Sequence, residues 1–198
     1  MVRYSHRFIA SKFTRTGKKK EGDYEWVKEI LTQYELIVDS TEQPIERPLD
    51  QEEQEIYYSG KQKKHTRKNQ LITLPNGSDI IDVVAGDPGP KSDISQFREQ
   101  QEKFAPQQKF KGDLAYIGEK QISTPQKKPK NRELTLGQKE QNKEFSAKRV
   151  YVEHVIRVLK IFRVAQERFR LRKETYEQVI LAVCGLVRFR IGGLILPM

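Results

Sequence analysis

The stretch LITLPNGSDIIDVV, residues 71–84, most strongly limits the fold of this chain. Two runs rich in β-branched residues flank Pro-Asn-Gly-Ser, and Asn-Gly is the strongest short-range signal for a β-hairpin. A third β-rich run, at about residues 35–42, precedes them and ends in turn residues. These three runs predict the strands of one sheet.

Helical patterns surround these strands along the chain. YEWVKEILTQY predicts a short helix, and KSDISQFREQQEKFA predicts another, with Ser92 or Asp93 available as its N-cap. FKGDLAYIG and QIST suit two short strands. Helices follow at about 135–170, where the pattern leaves a break open, and at 176–190, where Thr175 and Gln178 are spaced as a capping box. This order predicts a mixed α/β layer arrangement.

The charge of the chain indicates a polyanionic partner. Lys and Arg number 37 against 27 Asp and Glu, which gives a formal net charge of +10. Such an excess suits DNA, RNA or an acidic membrane surface. The longest apolar run, VILAVCGLV, is far shorter than the roughly 18 residues of a membrane span. Cys184 is the only cysteine, which excludes an internal disulfide and a Cys-rich zinc site.

Three acidic residues stand on separate predicted elements. Asp39 lies within the first strand, where Asp is uncommon, and an exposed Asp near a turn is the alternative. Asp113 lies where a strand begins or ends, and a loop Asp is the alternative. Glu153 lies beside the apolar face of the helix RVYVEHVIRVLKIFRV, and the alternative there is an ordinary surface ion pair, because it shares a stripe with Arg149, Arg157 and Lys160.

Carboxylates that converge from separate elements have a chemical use. Mg²⁺ and Mn²⁺ prefer hard oxygen ligands, take only a few carboxylates, and leave other positions to water and substrate phosphates. Two such ions about 3.5 to 4 Å apart can activate an attacking oxygen and stabilise a leaving one. A basic chain with three converging acids therefore suits phosphodiester chemistry.

Basic residues in several segments of the sequence are candidate DNA contacts. On an exposed strand, alternate side chains of KQKKHTRK would face a backbone phosphate, with two tyrosine rings nearby; a solubilising strand edge is the alternative. His65 could polarise a phosphate oxygen or merely cap the strand. Lysines between prolines form either a contact loop or a solvated one. The candidates are Lys61, Lys63, Lys64, His65, Arg67, Lys68, Lys127, Lys128, Arg157 and Lys160.

Five ordered blocks carry a family resemblance: IVDSTEQPIERP, YYSGKQKKHTRKNQ, GDLAYIG, TPQKKP and RVYVEHVIRVLKIFRV. They resemble the catalytic domain of DDE-superfamily transposases from bacterial insertion sequences, the group related to Harbinger-type endonucleases. The resemblance implies an α/β, ribonuclease H-like mixed sheet flanked by helices. It also implies that Asp39, Asp113 and Glu153 are the catalytic residues and the ligands of Mg²⁺ or Mn²⁺, with two ions expected. Family members commonly have Gly where this chain has Ala115.

The resemblance further implies a transposase, which cleaves DNA at the ends of an insertion sequence and joins it to target DNA. We expect a basic arm at residues 1–24, the catalytic domain at 25–190 and a tail at 191–198. Such transposases usually carry a helix-turn-helix before the first catalytic strand, so the sequence leaves open whether this is a truncated copy without that segment. DNA is the expected partner, with a homodimer on DNA left open, no membrane contact, and a cytoplasmic location at the nucleoid. The alternatives are a non-catalytic nucleic-acid-binding protein and an inactive transposase remnant.

Overall fold

The computed structural model describes residues 21–192. Most of the expected basic arm and six residues of the expected tail lie outside the described residues. The first helix begins at Glu21, inside the segment expected to be the arm. None of the helices in residues 21–192 is long and apolar enough to cross a membrane.

A mixed six-stranded sheet forms the centre of the fold. Its strands are β1 (Glu35–Pro44), β2 (Tyr58–Ser59), β3 (Lys64–Thr73), β4 (Ile80–Pro88), β5 (Lys109–Lys111) and β6 (Ile122–Ser123). β3 pairs antiparallel with β1, β2 and β4, whereas β5 lies parallel to β1 and β6 lies parallel to β5. The β3–β4 hairpin turns at Asn76-Gly77, where Gly77 has a φ of 67°, so the hairpin prediction is confirmed.

Helices cover both faces of this sheet. They are α1 (Glu21–Leu31), α2 (Gln51–Tyr57), α3 (Asp93–Arg98), α4 (Leu136–Leu159), α5 (Arg163–Gln166) and α6 (Tyr176–Arg190). Apolar side chains of α4 and α6 pack with Ile37 and Leu71 on one face. On the other face, α1 and α3 pack around Leu36 and Val38. The expected α/β fold, a ribonuclease H-like mixed sheet flanked by helices, is confirmed.

A buried polar network joins α5 and α6 to the sheet. The Tyr176 hydroxyl donates to Gln43 Oε1 at 3.0 Å and accepts from Asn69 Nδ2 at 2.9 Å. Gln43 Nε2 in turn donates to the carbonyls of Val164 and Glu167 at 2.7 and 2.9 Å. Each buried polar atom of this network has a hydrogen-bond partner, which compensates for its loss of hydration. The network therefore holds the C-terminal helices against the sheet.

The structure corrects three local predictions. α2 was not predicted, although Asp50 caps it by accepting from the Glu53 N–H, because none of its residues is buried and it lacks an apolar face. The helix expected over 91–105 ends at Arg98, although Ser92 does cap it. The expected capping box at Thr175 is absent, because a 3₁₀ turn already precedes α6 and the Thr175 hydroxyl donates back to the Arg172 carbonyl.

A capping box does form at the start of α4. The Thr135 hydroxyl accepts from the Gln138 N–H at 3.3 Å, and the Gln138 side chain accepts from the Thr135 N–H at 2.9 Å. We expect Thr135→Ala to lower the free energy of unfolding by about 1 kcal/mol, since a lost N-cap leaves orphan backbone donors. Thr175→Ala is the matched control, with an expected loss below about 0.5 kcal/mol. Urea unfolding of both variants measures the difference, and equal losses would contradict the assignment of the two caps.

Candidate active site

Asp39 lies in the middle of β1, on the face covered by α4. Alternation along the strand puts it on the same side as Ile37, which packs against α4. The strand continues to Pro44, so Asp39 does not lie at an exposed strand end. Its side chain is 17% exposed, and one carboxylate oxygen accepts from the Ser40 N–H at 2.9 Å.

Asp113 lies beside Asp39 because of the parallel register of β1 and β5. Ile37 pairs with Lys111, the last residue of β5, so the chain that leaves this strand carries Asp113 toward Asp39, with which it interacts electrostatically. Asp113 follows the end of β5 and caps a 3₁₀ turn by accepting from the Ala115 N–H at 2.8 Å. Among the described residues other than glycine, only Lys63 has a positive φ, so Ala115 replaces glycine here without backbone strain.

Two residues around Asp113 hold its turn against the sheet. A Cβ atom at Gly112 would lie 2.7 Å from the Tyr116 ring, so only glycine allows that ring to pack here. The Tyr116 hydroxyl lies 3.0 Å from Ser40 Oγ and accepts from Gln70 Nε2 at 3.0 Å. Because Ser40 follows Asp39 in β1, this contact ties the turn of the second carboxylate to the strand of the first.

Glu153 reaches the same place from α4. Arg149, one turn earlier on this helix, lies between two of the acids. Its Nη2 atom is 3.5 Å from Glu153 Oε1 and 3.6 Å from Asp39 Oδ2. The Glu153 side chain is 55% exposed, whereas those of Asp39 and Arg149 are mostly buried. An ion pair, the alternative considered for Glu153, is therefore present; it forms with Arg149, one turn before Glu153, and it includes Asp39 as well.

Electrostatic interactions couple these acids, which we call the carboxylate centre: Asp39, Asp113 and Glu153. Burial above all, together with the negative charges of Asp113 and Glu153, raises the pKa of Asp39 from its usual value of 3.8 to about 6. The Ser40 N–H and the Arg149 guanidinium oppose this rise. The ionised form of Asp39 therefore needs a positive partner.

The carboxylate centre has the donor chemistry of a site for a divalent cation. Carboxylate oxygens are the hard ligands that Mg²⁺ and Mn²⁺ prefer, and mutual repulsion among three of them favours a bound cation. Within residues 21–192, no three His, Cys, Asp or Glu side chains are grouped closely enough to hold a metal ion between them. Arg149 lies between two of the three acids instead.

Comparison with known proteins assigns the family. The family model described as DDE superfamily endonuclease matches residues 38–188 of this chain. The chain belongs to the DDE superfamily endonucleases. All three members of the carboxylate centre lie inside the matched range, so the family match and the geometry concern the same part of the fold.

This DDE endonuclease chain is also similar to an individual protein over most of its length. The chain is 34% identical over 185 residues to a probable transposase for insertion sequence element IS702 from Microchaete diplosiphon. The aligned region covers 91% of this chain and 64% of the relative, so the chain spans less than two thirds of the relative's length. No solved structure matches the chain significantly.

This DDE endonuclease chain has a polar cleft of about 580 Å³ whose lining includes Ser40, which follows Asp39, and Ala115, which donates its N–H to Asp113. We call it the lysine cleft; its lining includes Ser40, Lys61, Lys68, Lys91, Ala115 and Lys160. Lys61, Lys63 and Lys64 are exposed at the turn between β2 and β3, close to one end of the cleft. Lys61 and Lys63 lie on the turn itself, whereas Lys64 begins β3, so the basic block does lie at the entry to this strand, as the sequence suggested.

Three other candidates of the same basic block contact other residues of this chain. Lys68 is buried and forms an ion pair with Asp93 at 2.8 Å. The Arg67 guanidinium lies 5.2 Å from the Tyr57 ring centroid and 5.0 Å from that of Tyr176. The His65 ring meets the Tyr58 ring edge-on at 5.5 Å. Sequence alternation could not reveal these inward contacts, because they depend on elements brought in from elsewhere in the chain.

The remaining basic candidates lie on or beside α4. Lys127 and Lys128 are exposed in a loop that is fixed to α4. The Asn142 side chain on α4 accepts a hydrogen bond from the Gln126 N–H of this loop at 2.8 Å. Lys128 also forms an ion pair with Glu133. Arg157 is exposed and bonds to His154 Nδ1 at 2.6 Å. Lys160, the C-cap of α4, is half-buried and faces the lysine cleft.

The raised pKa of Asp39 predicts a dependence of stability on pH. Between about pH 4 and pH 6 the folded chain retains a proton on Asp39 that the unfolded chain has lost, so this group lowers stability as pH rises. We expect Asp39→Asn to raise the free energy of unfolding at pH 7.5 by roughly 2 kcal/mol, because the amide stays neutral. The gain should shrink toward pH 4, where the folded-state carboxyl is protonated and only part of the unfolded-state carboxyl is still ionised.

Denaturant unfolding of the metal-free chains from pH 4 to pH 8 measures this effect. Glu153→Gln is the control, because its side chain is more than half exposed and loses little hydration in the fold. We expect its stability to stay within about 0.5 kcal/mol of wild type at every pH. An Asp39→Asn variant no more stable than wild type at pH 7.5 would show that burial does not disfavour the Asp39 charge.

Proposed function

We propose that the chain carries the catalytic domain of an insertion-sequence transposase, which cleaves DNA and transfers a strand during transposition. Asp39, Asp113 and Glu153 are the catalytic carboxylates of this proposal. The observation that carries it is the carboxylate centre itself, in which acids from the end of β5 and from α4 interact electrostatically with Asp39 of β1, and Arg149 contacts two of the three. Family membership and the transposase-like relative support the same chemistry.

Each carboxylate has a separate structural role in this proposal. Asp39 supplies a ligand from the most rigid element, a strand that is hydrogen-bonded on both sides. Asp113 supplies one from a turn that Tyr116 holds, and Glu153 supplies one from a long helix. A bound pair of Mg²⁺ or Mn²⁺ ions would supply the charge that activates the attacking oxygen and stabilises the leaving one. Ligands on rigid elements suit such chemistry, which depends on positioning.

The proposed DNA path runs along the lysine cleft. Lys160 at the end of α4 and Lys61 at the β2–β3 turn both face this cleft, and Lys63 and Lys64 extend its basic edge. Of its four lysines, Lys68 pairs with Asp93 and Lys91 pairs with acids outside the lining, so Lys61 and Lys160 are the ones proposed to meet a phosphate backbone. The proposed substrates are the DNA ends of the element and the target DNA. The proposed assembly is a homodimer on DNA, and the proposed location is the nucleoid. Arg157, Lys127 and Lys128 are proposed as outer contacts.

A non-catalytic nucleic-acid-binding protein is the second candidate. The contacts of Arg149 with Asp39 and Glu153 favour it, because they give these acids a charge-balancing role that needs no metal ion. DNA binding is expected in both cases. Cleavage that depends on a divalent cation is expected only in the first.

Replacing Glu153 separates the two candidates. Glu153→Gln keeps the size of the side chain but removes its anionic oxygen, so nicking should fall by at least about 100-fold if catalysis depends on that charge. Folding should change little, because the side chain is largely exposed. The measurement is nicking of supercoiled DNA and of duplexes with element-end sequences by the full chain in Mg²⁺ or Mn²⁺, beside a DNA-binding titration.

Glu144→Gln is the matched control, because Glu144 is exposed and lies on the same helix. It should nick DNA like wild type. Wild-type nicking by Glu153→Gln would contradict the ligand role of Glu153. DNA binding without any nicking by the wild-type chain would favour the second candidate.

The exposed lysines of the β2–β3 turn should carry phosphate contacts. Lys61→Ala and Lys64→Ala should each weaken binding to DNA of any sequence and reduce the slope of log K against log salt concentration by about 0.9. Fluorescence anisotropy at a series of salt concentrations measures this slope.

Lys28→Ala is the control for this series, because Lys28 lies on α1, which packs on the opposite face of the sheet from α4. It removes the same charge and should leave the slope unchanged. Equal slopes for all four proteins would mean that the β2–β3 turn does not contact phosphates.

A further inference from the structure

Arg149 occupies the space between two members of the carboxylate centre. One nitrogen of its guanidinium is shared between Asp39 Oδ2, at 3.6 Å, and Glu153 Oε1, at 3.5 Å. The side chain is only 15% exposed, and its buried Nε finds no hydrogen-bond partner among the described residues. A strongly charged group is therefore buried beside two acids without full hydrogen-bonding.

The distances describe a loose ion pair. Hydrogen bonds between a guanidinium and a carboxylate usually measure about 2.7 to 2.9 Å and are often bidentate. The buried pair of Arg188 and Asp79 in this chain has that form, with two contacts of 2.7 and 2.9 Å. Arg149 instead divides one nitrogen between two acids at longer distances, so it supplies charge to the centre without a fixed geometry.

A divalent cation needs the same oxygens. Asp39 and Glu153 cannot close around a metal ion while the guanidinium lies between them, and a positive charge at this place also repels an approaching cation. Burial of Asp39 makes a positive neighbour necessary whenever no metal is bound, since an isolated buried carboxylate is costly. The burial of Asp39 therefore favours contact with Arg149 when no metal is bound. It also favours the replacement of Arg149 by a divalent cation, whose charge is higher.

We propose that Arg149 is the resident counter-cation of the carboxylate centre and that a divalent cation must displace it from Asp39 and Glu153 in order to bind. This inference rests on the proposed metal-dependent function. It makes Arg149 a positioning residue that sets the metal affinity of the site. Its removal should strengthen metal binding, whereas removal of a group that supports the metal site should weaken it.

Mn²⁺ binding tests this inference directly. Isothermal titration calorimetry of the full chain compares wild type with Arg149→Gln, in which a neutral side chain replaces the guanidinium. We expect Arg149→Gln to bind Mn²⁺ at least about tenfold more tightly, because the cation no longer competes with a bound positive charge. Lys148→Gln is the matched control: it lies one residue away, is exposed, and loses the same charge. Its affinity should stay within about twofold of wild type, because exposed charges are screened.

Thermal unfolding supplies a second readout without any catalytic activity. Metal-free Arg149→Gln should melt below wild type, because Asp39 and Glu153 have lost their counter-charge. Saturating Mn²⁺ should raise its melting temperature more than that of wild type. If Arg149→Gln does not fold, the ¹⁵N resonances of the wild-type Arg149 guanidinium can be followed during addition of diamagnetic Mg²⁺. They should shift as the side chain leaves the carboxylates.

The outcomes separate this inference from the proposed function. Failure of wild type and both variants to bind Mn²⁺ would overturn both. Mn²⁺ binding by wild type, with equal or weaker binding by Arg149→Gln, would overturn the counter-cation role alone. Guanidinium resonances that do not respond to Mg²⁺ in a wild-type chain that binds it would overturn that role too.

Discussion

The parallel pairing of β1 with β5 determines where the acidic side chains lie. Ile37 is in register with Lys111, so the backbone that continues from each strand brings Asp39 and Asp113 side by side. Neighbouring strands are only about 4.8 Å apart, which forces two negative charges together. The raised pKa of Asp39 follows mainly from its burial, to which the negative charge of Asp113 adds. A register shifted by one residue would turn Asp39 toward the opposite face.

Hydrophobic packing of α4 supplies the third carboxylate. Val152, Val155 and Leu159 are fully or almost fully buried against the sheet, and their helical spacing fixes the rotation of the helix. Glu153 and Arg149 then lie at the edge of that apolar stripe, next to β1. The free energy of burying these apolar groups holds the charges together, since the charges alone would favour separation and hydration.

The sequence predicted those parts of the fold and site that local patterns determine. Asn-Gly between β-branched runs predicts the β3–β4 hairpin, and the placement of Asp39 within a predicted strand agrees with β1. The destinations of Arg67 and Lys68 could not be predicted in this way. Lys68 pairs with Asp93 of α3, and Arg67 lies against Tyr176 of α6, so both depend on tertiary contacts between distant segments. The contact between Arg149 and Asp39 is missed for the same reason, although its i,i+4 contact with Glu153 is visible in the sequence.

The carboxylate centre differs from the best-paired buried polar groups of the fold. Elsewhere, buried charges such as Asp79 and Arg188 meet in close bidentate contact, and buried amides such as Gln43 have their partners. At Asp39, by contrast, a mostly buried acid interacts with two like charges, and its partners are one backbone N–H and a loosely held guanidinium. Such a conflict is costly in a protein selected for stability alone, and it is typical of sites whose geometry serves binding or catalysis.

Tyr116 and Ser40 restrain the strand and the turn from the opposite face of β1, so the surrounding structure holds the acids in place despite their repulsion. The same arrangement that makes the metal-free centre unfavourable therefore prepares it for a ligand of high positive charge.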